Sequence, residues 1–138
     1  MTHNRLELKV DARLENLSVI SEFISKAMNQ FGVGTEVLRV QTAVDEACTN
    51  IIKHAYSARG GIISITCEMK DDDFIVTIRD KGKPFDPSSV PPPDLEAELD
   101  KRKIGGLGIH MMKRLMDEVS YSFDKDKGNM LVMKRKFK

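Results

Sequence analysis

The sequence predicts an α+β fold: a two-layer α/β sandwich with helices on one face of a mixed, largely antiparallel sheet. Two stretches of helical periodicity run back to back near the N-terminus, the later strand-like segments come as two hairpins, and helices are segregated from hairpins along the chain. At 138 residues a single domain spanning 1–138 is expected, large enough to bury about two-thirds of its unfolded surface.

Taken in order, Arg5-Leu6-Glu7-Leu8-Lys9-Val10 alternates polar and apolar with period two, the pattern of a half-buried strand. From Leu14 to Phe31 the residues Leu14, Leu17, Ile20, Ile24, Ala27, Met28 and Phe31 recur at three- and four-residue steps, which predicts an amphipathic helix ended by Gly32 and Gly34. Thr35 and Val37 begin a second helix. Its apolar positions Leu38, Val40, Val44, Ala47, Cys48, Ile51, Ile52 and Ala55 keep the helical period to about Tyr56, before Gly60-Gly61 stops it. Ile62 to Met69 and Phe74 to Arg79 are strand-like and separated by the charged turn Lys70-Asp71-Asp72-Asp73, so they read as a hairpin.

After Asp80 the pattern stops for about 24 residues, a length that inside a compact domain marks a functional or disordered segment. All five prolines fall in it, between Pro84 and Pro93, followed by the charged stretch Asp94 to Lys103. Gly105-Gly106-Leu107-Gly108 then opens a third helix with Ile109, Met112, Leu115 and Met116 as its apolar face. Tyr121-Ser122-Phe123 and Asn129 to Phe137 form a second hairpin around Asp126-Lys127-Gly128. The expected order is β-αα-ββ-loop-α-ββ, without internal repeats.

Composition excludes several functions. There are 22 Lys+Arg against 21 Asp+Glu, a net charge of +1, so no basic field exists for nonspecific nucleic-acid or membrane-surface binding. No run approaches the roughly 20 apolar residues of a bilayer span, and Met1-Thr2-His3-Asn4 lacks the basic and apolar regions of a signal peptide, so a cytoplasmic protein is expected. Cys48 and Cys67 sit in apolar periodic segments without CxxC spacing and read as small buried hydrophobes.

Three segments carry candidate chemistry. Glu46, Asn50 and His54 stand at steps of four in the second helix, within roughly 80° of one another, and would line the rim of the core. Asn gains nothing obvious in mid-helix, whereas an acid, an amide oxygen and an imidazole in one row can orient a metal ion or a nucleophile. An ordinary polar helix border has the same pattern.

Asp80-Lys81-Gly82-Lys83-Pro84-Phe85 follows a strand, where an aspartate can accept from a ligand amine and a glycine lets a flat ring approach the backbone. A simple turn reads the same way. Gly105-Gly106-Leu107-Gly108 precedes a helix, so backbone N–H groups and the helix N-terminus together can cradle phosphate. It matches neither the Rossmann nor the Walker glycine pattern. Lys101-Arg102-Lys103 directly before it either neutralises a polyphosphate or is solvated surface.

In this order, Glu46-Ala47-Cys48-Thr49-Asn50, Asp80-Lys81-Gly82-Lys83-Pro84-Phe85 and Gly105-Gly106-Leu107-Gly108-Ile109 resemble the N, G1 and G2 boxes of the ATPase fold shared by gyrase, MutL and histidine kinases (GHKL, or Bergerat, fold). Nearly the whole chain is similar to the stand-alone bacterial anti-sigma-factor serine kinases of the RsbW and SpoIIAB type. The resemblance implies ATP in a cleft between helices and sheet, under a lid at about residues 83–104. It implies that Asn50 holds Mg²⁺ against the phosphates and that Glu46 is the general base. Asp80 would accept from the adenine amino group, Gly82 would floor the base pocket, and Gly105, Gly106, Leu107 and Gly108, with Lys103 beside them, would meet the phosphates. His54 would support the phosphate end or pack as a satisfied histidine.

The implied substrate is a serine on a small STAS-type anti-anti-sigma protein, with a sigma factor as the alternative partner and homodimerisation as a family expectation. An ATP-binding sequestration module without phosphotransfer is the second reading. Histidine autokinase activity is disfavoured, because His3, His54 and His110 stand in no dimerisation-helix context. The chain departs from the pattern after Gly128, reading Asn129-Met130 where these ATPases commonly place a threonine near the adenine pocket. It also carries Pro91-Pro92-Pro93, which stiffens the lid as polyproline.

Overall fold

Alternation in the first segment is realised as an edge strand, β1 (Arg5–Asp11), whose exposed and half-buried residues alternate along its length. The computed structural model describes residues 5–56, 60–84 and 112–137. After one turn of 3₁₀ helix at Leu14–Asn16 comes α1 (Leu17–Gln30), which buries Ile20, Ile24, Ala27 and Met28, the apolar stripe that predicts it. Its end is a Schellman arrangement: Gly32 N–H donates to Asn29 O at 3.2 Å and Val33 N–H to Met28 O at 2.9 Å.

A second 3₁₀ turn, Gly34–Glu36, leads into α2 (Val37–Asn50), which buries Val40, Ala43, Val44, Ala47, Cys48 and Asn50. The periodicity predicts one helix to Tyr56, and the structure divides it. From Ile51 to Ala55 the helix widens to a π turn, closed by Tyr56 N–H to Ile51 O at 3.1 Å. The wider turn keeps Ile52 and Ala55 inside while Lys53 and His54 are exposed.

The remaining strands are β2 (Ile62–Lys70), β3 (Asp73–Asp80), β4 (Glu118–Asp124) and β5 (Gly128–Lys136). They form with β1 one five-stranded sheet in the order β1-β2-β3-β5-β4. All four pairings are antiparallel, which agrees with the largely antiparallel sheet expected; the parallel pairing that a mixed sheet would add is not found among the described residues. Both hairpins occur where predicted. Asp71 takes φ 56° in the first turn, and in the second Asp124 Oδ1 accepts from the N–H groups of Asp126 and Lys127.

Every second residue of β2, β3 and β5 faces the helices: Ile63, Ile65 and Cys67; Phe74, Val76 and Ile78; Leu131 and Met133. These join the buried faces of α1 and α2 in one core, and the Phe31 and Phe74 rings meet at 6.1 Å. Asp80 and Asn129 continue the same alternation at the strand ends, so the sheet delivers two polar side chains to the helix-facing layer. Cys48 and Cys67 are buried and free, as their apolar settings predict, and burial pushes both thiols up, Cys67 to about 12.

Residues 112–115 are helical, agreeing with the last part of the third predicted helix, and Met112 and Met116 join the core. No helix among the described residues is long and apolar enough to cross a membrane.

Candidate functional site

Asp80 ends β3 on the helix-facing side and is 6% exposed. A carboxylate so placed needs donors, and Oδ1 receives two: Gly82 N–H at 2.9 Å and Asn129 Nδ2 at 2.8 Å. Desolvation pushes the Asp80 carboxyl up, and these two bonds pull against it. Both bonds land on the same oxygen, Oδ1. Asn129 is the direct cross-strand neighbour of Asp80. Its Nδ2 also donates to Gly82 O at 3.1 Å and Lys83 O at 3.4 Å, and its Oδ1 accepts from the Tyr121 hydroxyl.

The turn after Asp80 is fitted to the end of the π turn. Lys83 N–H donates to Ala55 O at 2.7 Å, and the missing side chain of Gly82 faces Ala55. Tyr56 clamps the same corner, its hydroxyl donating to Ile62 O and accepting from Lys81 N–H, both at 2.8 Å. Gly128, φ 89°, lies so close to the Asp80 carbonyl that any Cβ would collide with it.

Between α2, the π turn, β3, β4 and β5 lies an open cleft of about 370 Å³, lined by Ala47, Asn50, Ile51, Ala55, Asp80, Lys83, Met112, Tyr121, Asn129 and Leu131. Its walls are mostly apolar, and Asp80 and Asn129 stand at one side. Asn50, the last residue of α2, is 5% exposed, and its Nδ2 is buried without a hydrogen-bond partner among the described residues. A buried unsatisfied amide costs about 1–3 kcal/mol. That cost is explained when a ligand supplies the partner.

Glu46 lies one turn before Asn50, half-buried, outside the residues that line the cleft. Its carboxyl is raised by desolvation and then by the neighbouring charge of Asp45, against the pull of Lys53. Asp45 is raised by desolvation too. His54, the third member of the predicted row, sits on the exposed side of the π turn and does not line the cleft. The structure therefore brings Asn50 and Asp80 to one cavity, leaves Glu46 outside its lining and puts His54 on the exposed side. Gly82 contacts Ala55 on its open side instead of the cleft. Lys103, Gly105, Gly106, Leu107 and Gly108, and the expected lid at about 83–104 beyond Pro84, lie outside the described residues. No group of three or more potential metal-ligating His, Cys, Asp or Glu side chains occurs among the described residues.

Sequence reasoning did not select Tyr121, Tyr56 or Lys83. The strand alternation carried a signal for Tyr121, since it shares the inward register of β4 with Val119. Tyr56 and Lys83 had none.

Residues 10–135 match the histidine kinase-like ATPase domain family. The anti-sigma F factor of Clostridium acetobutylicum is 30% identical over 99% of this chain and 96% of its own length. A serine-protein kinase RsbW of Staphylococcus aureus is 35% identical over 83% of this chain and 77% of its own. A crystal structure of the RsbU and RsbW domains of a Mycobacterium tuberculosis protein superposes with TM-score 0.64 and 13% identity, covering 97% of this chain and 32% of that one. That likeness concerns the fold alone. With nearly its whole length inside the family match, and with relatives of 30–35% identity along most of it, the chain belongs to the histidine kinase-like ATPases, in the anti-sigma-factor and RsbW kinase branch.

Proposed function

We propose that this protein is an ATP-dependent serine/threonine protein kinase of the anti-sigma-factor type, which phosphorylates a serine of a STAS-type anti-anti-sigma partner and sequesters a sigma factor. The observation that carries the reading is the pairing, in one apolar-walled cleft, of a carboxylate at a strand end with a buried amide that has no hydrogen-bond partner among the described residues. The residues present fit an adenine nucleotide. Ala47, Ile51, Ala55 and Leu131 offer apolar surface to a flat ring, and Asp80 offers an acceptor to its exocyclic amino group.

Asn50 fits the phosphate end, where its amide reaches phosphate oxygen as a donor or Mg²⁺ as an oxygen ligand. Bound Mg²⁺ would supply charge neutralisation to phosphoryl transfer. Glu46 takes the proton of the serine hydroxyl, and desolvation with the neighbouring Asp45 charge raises its carboxyl, which strengthens it as a base. Lys103 and the glycines Gly105, Gly106 and Gly108, with Leu107, would hold the phosphates. Residues 1–138 would act as one ATPase domain with its lid at about 83–104, working as a cytoplasmic homodimer. His54 is assigned to the phosphate end only through its place after Asn50.

The second reading is an ATP-binding partner-switching module with little phosphotransfer, favoured by the position of Glu46 outside the cleft lining. The test is incubation with labelled ATP and the STAS protein encoded nearby, followed by mass mapping of the phosphosite. Phosphoserine with the parent and none with Glu46→Gln, at unchanged ATP affinity, supports the kinase. ATP binding and partner capture without phosphoserine supports the sequestration module.

A further inference from the structure

Three adjacent strands place one row of polar groups across the sheet. Asp80 on β3 pairs with Asn129 on β5, and Tyr121 on the edge strand β4 is the diagonal neighbour of Asn129, since Phe123 pairs with Asn129 and Tyr121 with Leu131. Tyr121 donates to Asn129 Oδ1, and Asn129 donates to Asp80 Oδ1. The row runs from the sheet edge to the buried carboxylate, and all three residues line the cleft.

An asparagine amide has two ends of similar shape and opposite polarity. In one orientation Nδ2 faces Asp80 Oδ1 and the carbonyls of Gly82 and Lys83. In the flipped orientation oxygen would face those oxygens, and the carboxylate would lose a donor. That contact would be a hydrogen bond again only if Asp80 took up a proton and itself donated to the amide oxygen. The Tyr121 hydroxyl satisfies the other end of the amide, which is otherwise buried at 3% exposure. A threonine hydroxyl at this position would need no such partner, because a single rotor both donates and accepts.

We infer that Tyr121 and Asn129 form a positioning pair that holds Asp80 as a hydrogen-bond acceptor, and thereby set the selectivity of the cleft for a base carrying an exocyclic amino group. This rests on the nucleotide reading above. Asn129 orients Asp80, and Tyr121 orients Asn129.

The test is equilibrium binding of two nucleotides, ATP and purine riboside triphosphate, which lacks the 6-amino group, with melting temperature recorded for each protein. In Tyr121→Phe the preference for ATP should fall about tenfold, the scale of one buried hydrogen bond, while affinity for purine riboside triphosphate stays within about twofold. In an Asn129→Thr background, adding Tyr121→Phe should leave the preference within about twofold, because the hydroxyl needs no orienting partner. A structural role for Tyr121 would instead weaken both nucleotides in both backgrounds. Retention of the parent preference in Tyr121→Phe, or an equal loss in both backgrounds, overturns the inference. If Tyr121→Phe does not melt cooperatively, Asn129→Leu, similar in volume, replaces it, and retained preference again overturns the inference. A parent that binds neither nucleotide overturns the ATP reading and this one with it. A parent that binds both equally overturns only the selectivity.

Discussion

Gly82 lies against Ala55 so closely that a Cβ on Gly82 would stand 2.6 Å from the Ala55 carbonyl oxygen and 2.8 Å from its Cβ. One atom's absence therefore seats the turn after β3 on the end of the π turn, and Lys83 N–H confirms the fit with its bond to the same carbonyl. Two walls of the cleft meet there.

Gly82→Ala must push backbone from backbone. It should cost about 1–3 kcal/mol of stability, as overpacking does, and should weaken nucleotide binding by stretching the Gly82 N–H bond to Asp80. Urea unfolding with ATP titration checks it, and an alanine variant as stable and as tight as the parent would show that the contact yields freely.

Asp80→Asn should separate binding from stability. The folded-state value of Asp80 is raised, so the folded protein holds its proton more tightly than the unfolded chain, and stability falls as pH rises from the unfolded value through the raised one. Above that window the parent carries a desolvation cost that an amide does not. Since Oδ1 remains to accept from Gly82 and Asn129, the variant should melt at or above the parent temperature at pH 7 and lose its preference for ATP. Melting curves from pH 4 to 8 decide, and a variant less stable than the parent at pH 7 would contradict the assignment.

Asn50→Ala removes a buried amide that has no partner among the described residues. Loss of packing and relief of the unsatisfied group oppose each other at about 1–3 kcal/mol each, so the unliganded protein should stay within about 1 kcal/mol of the parent. The stabilisation by millimolar ATP with Mg²⁺ should shrink at the same time. Thermal melts with and without Mg-ATP measure both, and an undiminished shift would remove Asn50 from the phosphate end.

Arg135 on β5 grips Glu36, just before α2, at two points: Nε to Oε2 at 2.9 Å and Nη2 to Oε1 at 2.8 Å. The Arg135 hydrogen bonds hold the Glu36 carboxyl below its ordinary 4.5. A depressed carboxylate stabilises the fold above its unfolded value and loses that contribution as pH falls through the folded one. Arg135→Lys, which cannot make the fork, should lower stability by about 1 kcal/mol at pH 7. Glu36→Gln should melt below the parent at pH 7, the gap closing below about pH 4.5; a pH-independent gap would contradict an ionic contribution.

Much of the site was legible because it lies at element ends. Asp80 stands where strand periodicity stops, and Asn50 stands in a helical stripe that favours other residues, so both could be selected before any contact was known. His54 could not be placed. Spacing of four puts it beside Asn50 only while the helix stays α, and the π turn from Ile51 rotates it to the exposed side. The asparagine after Gly128 looked like a departure from the family's threonine, and its meaning depended on a tyrosine eight residues away.

The sequence by itself determined the first strand, the first helix, the start of the second, both hairpins and the family, because periodicity, glycine punctuation and three ordered boxes are local properties of the chain. Tertiary structure decided which strands became neighbours. With β5 inserted between β3 and β4, Asp80, Asn129 and Tyr121 come into one row. No local pattern encodes that row, since its bonds span 49 and 8 residues and exist only once the sheet has closed around its core.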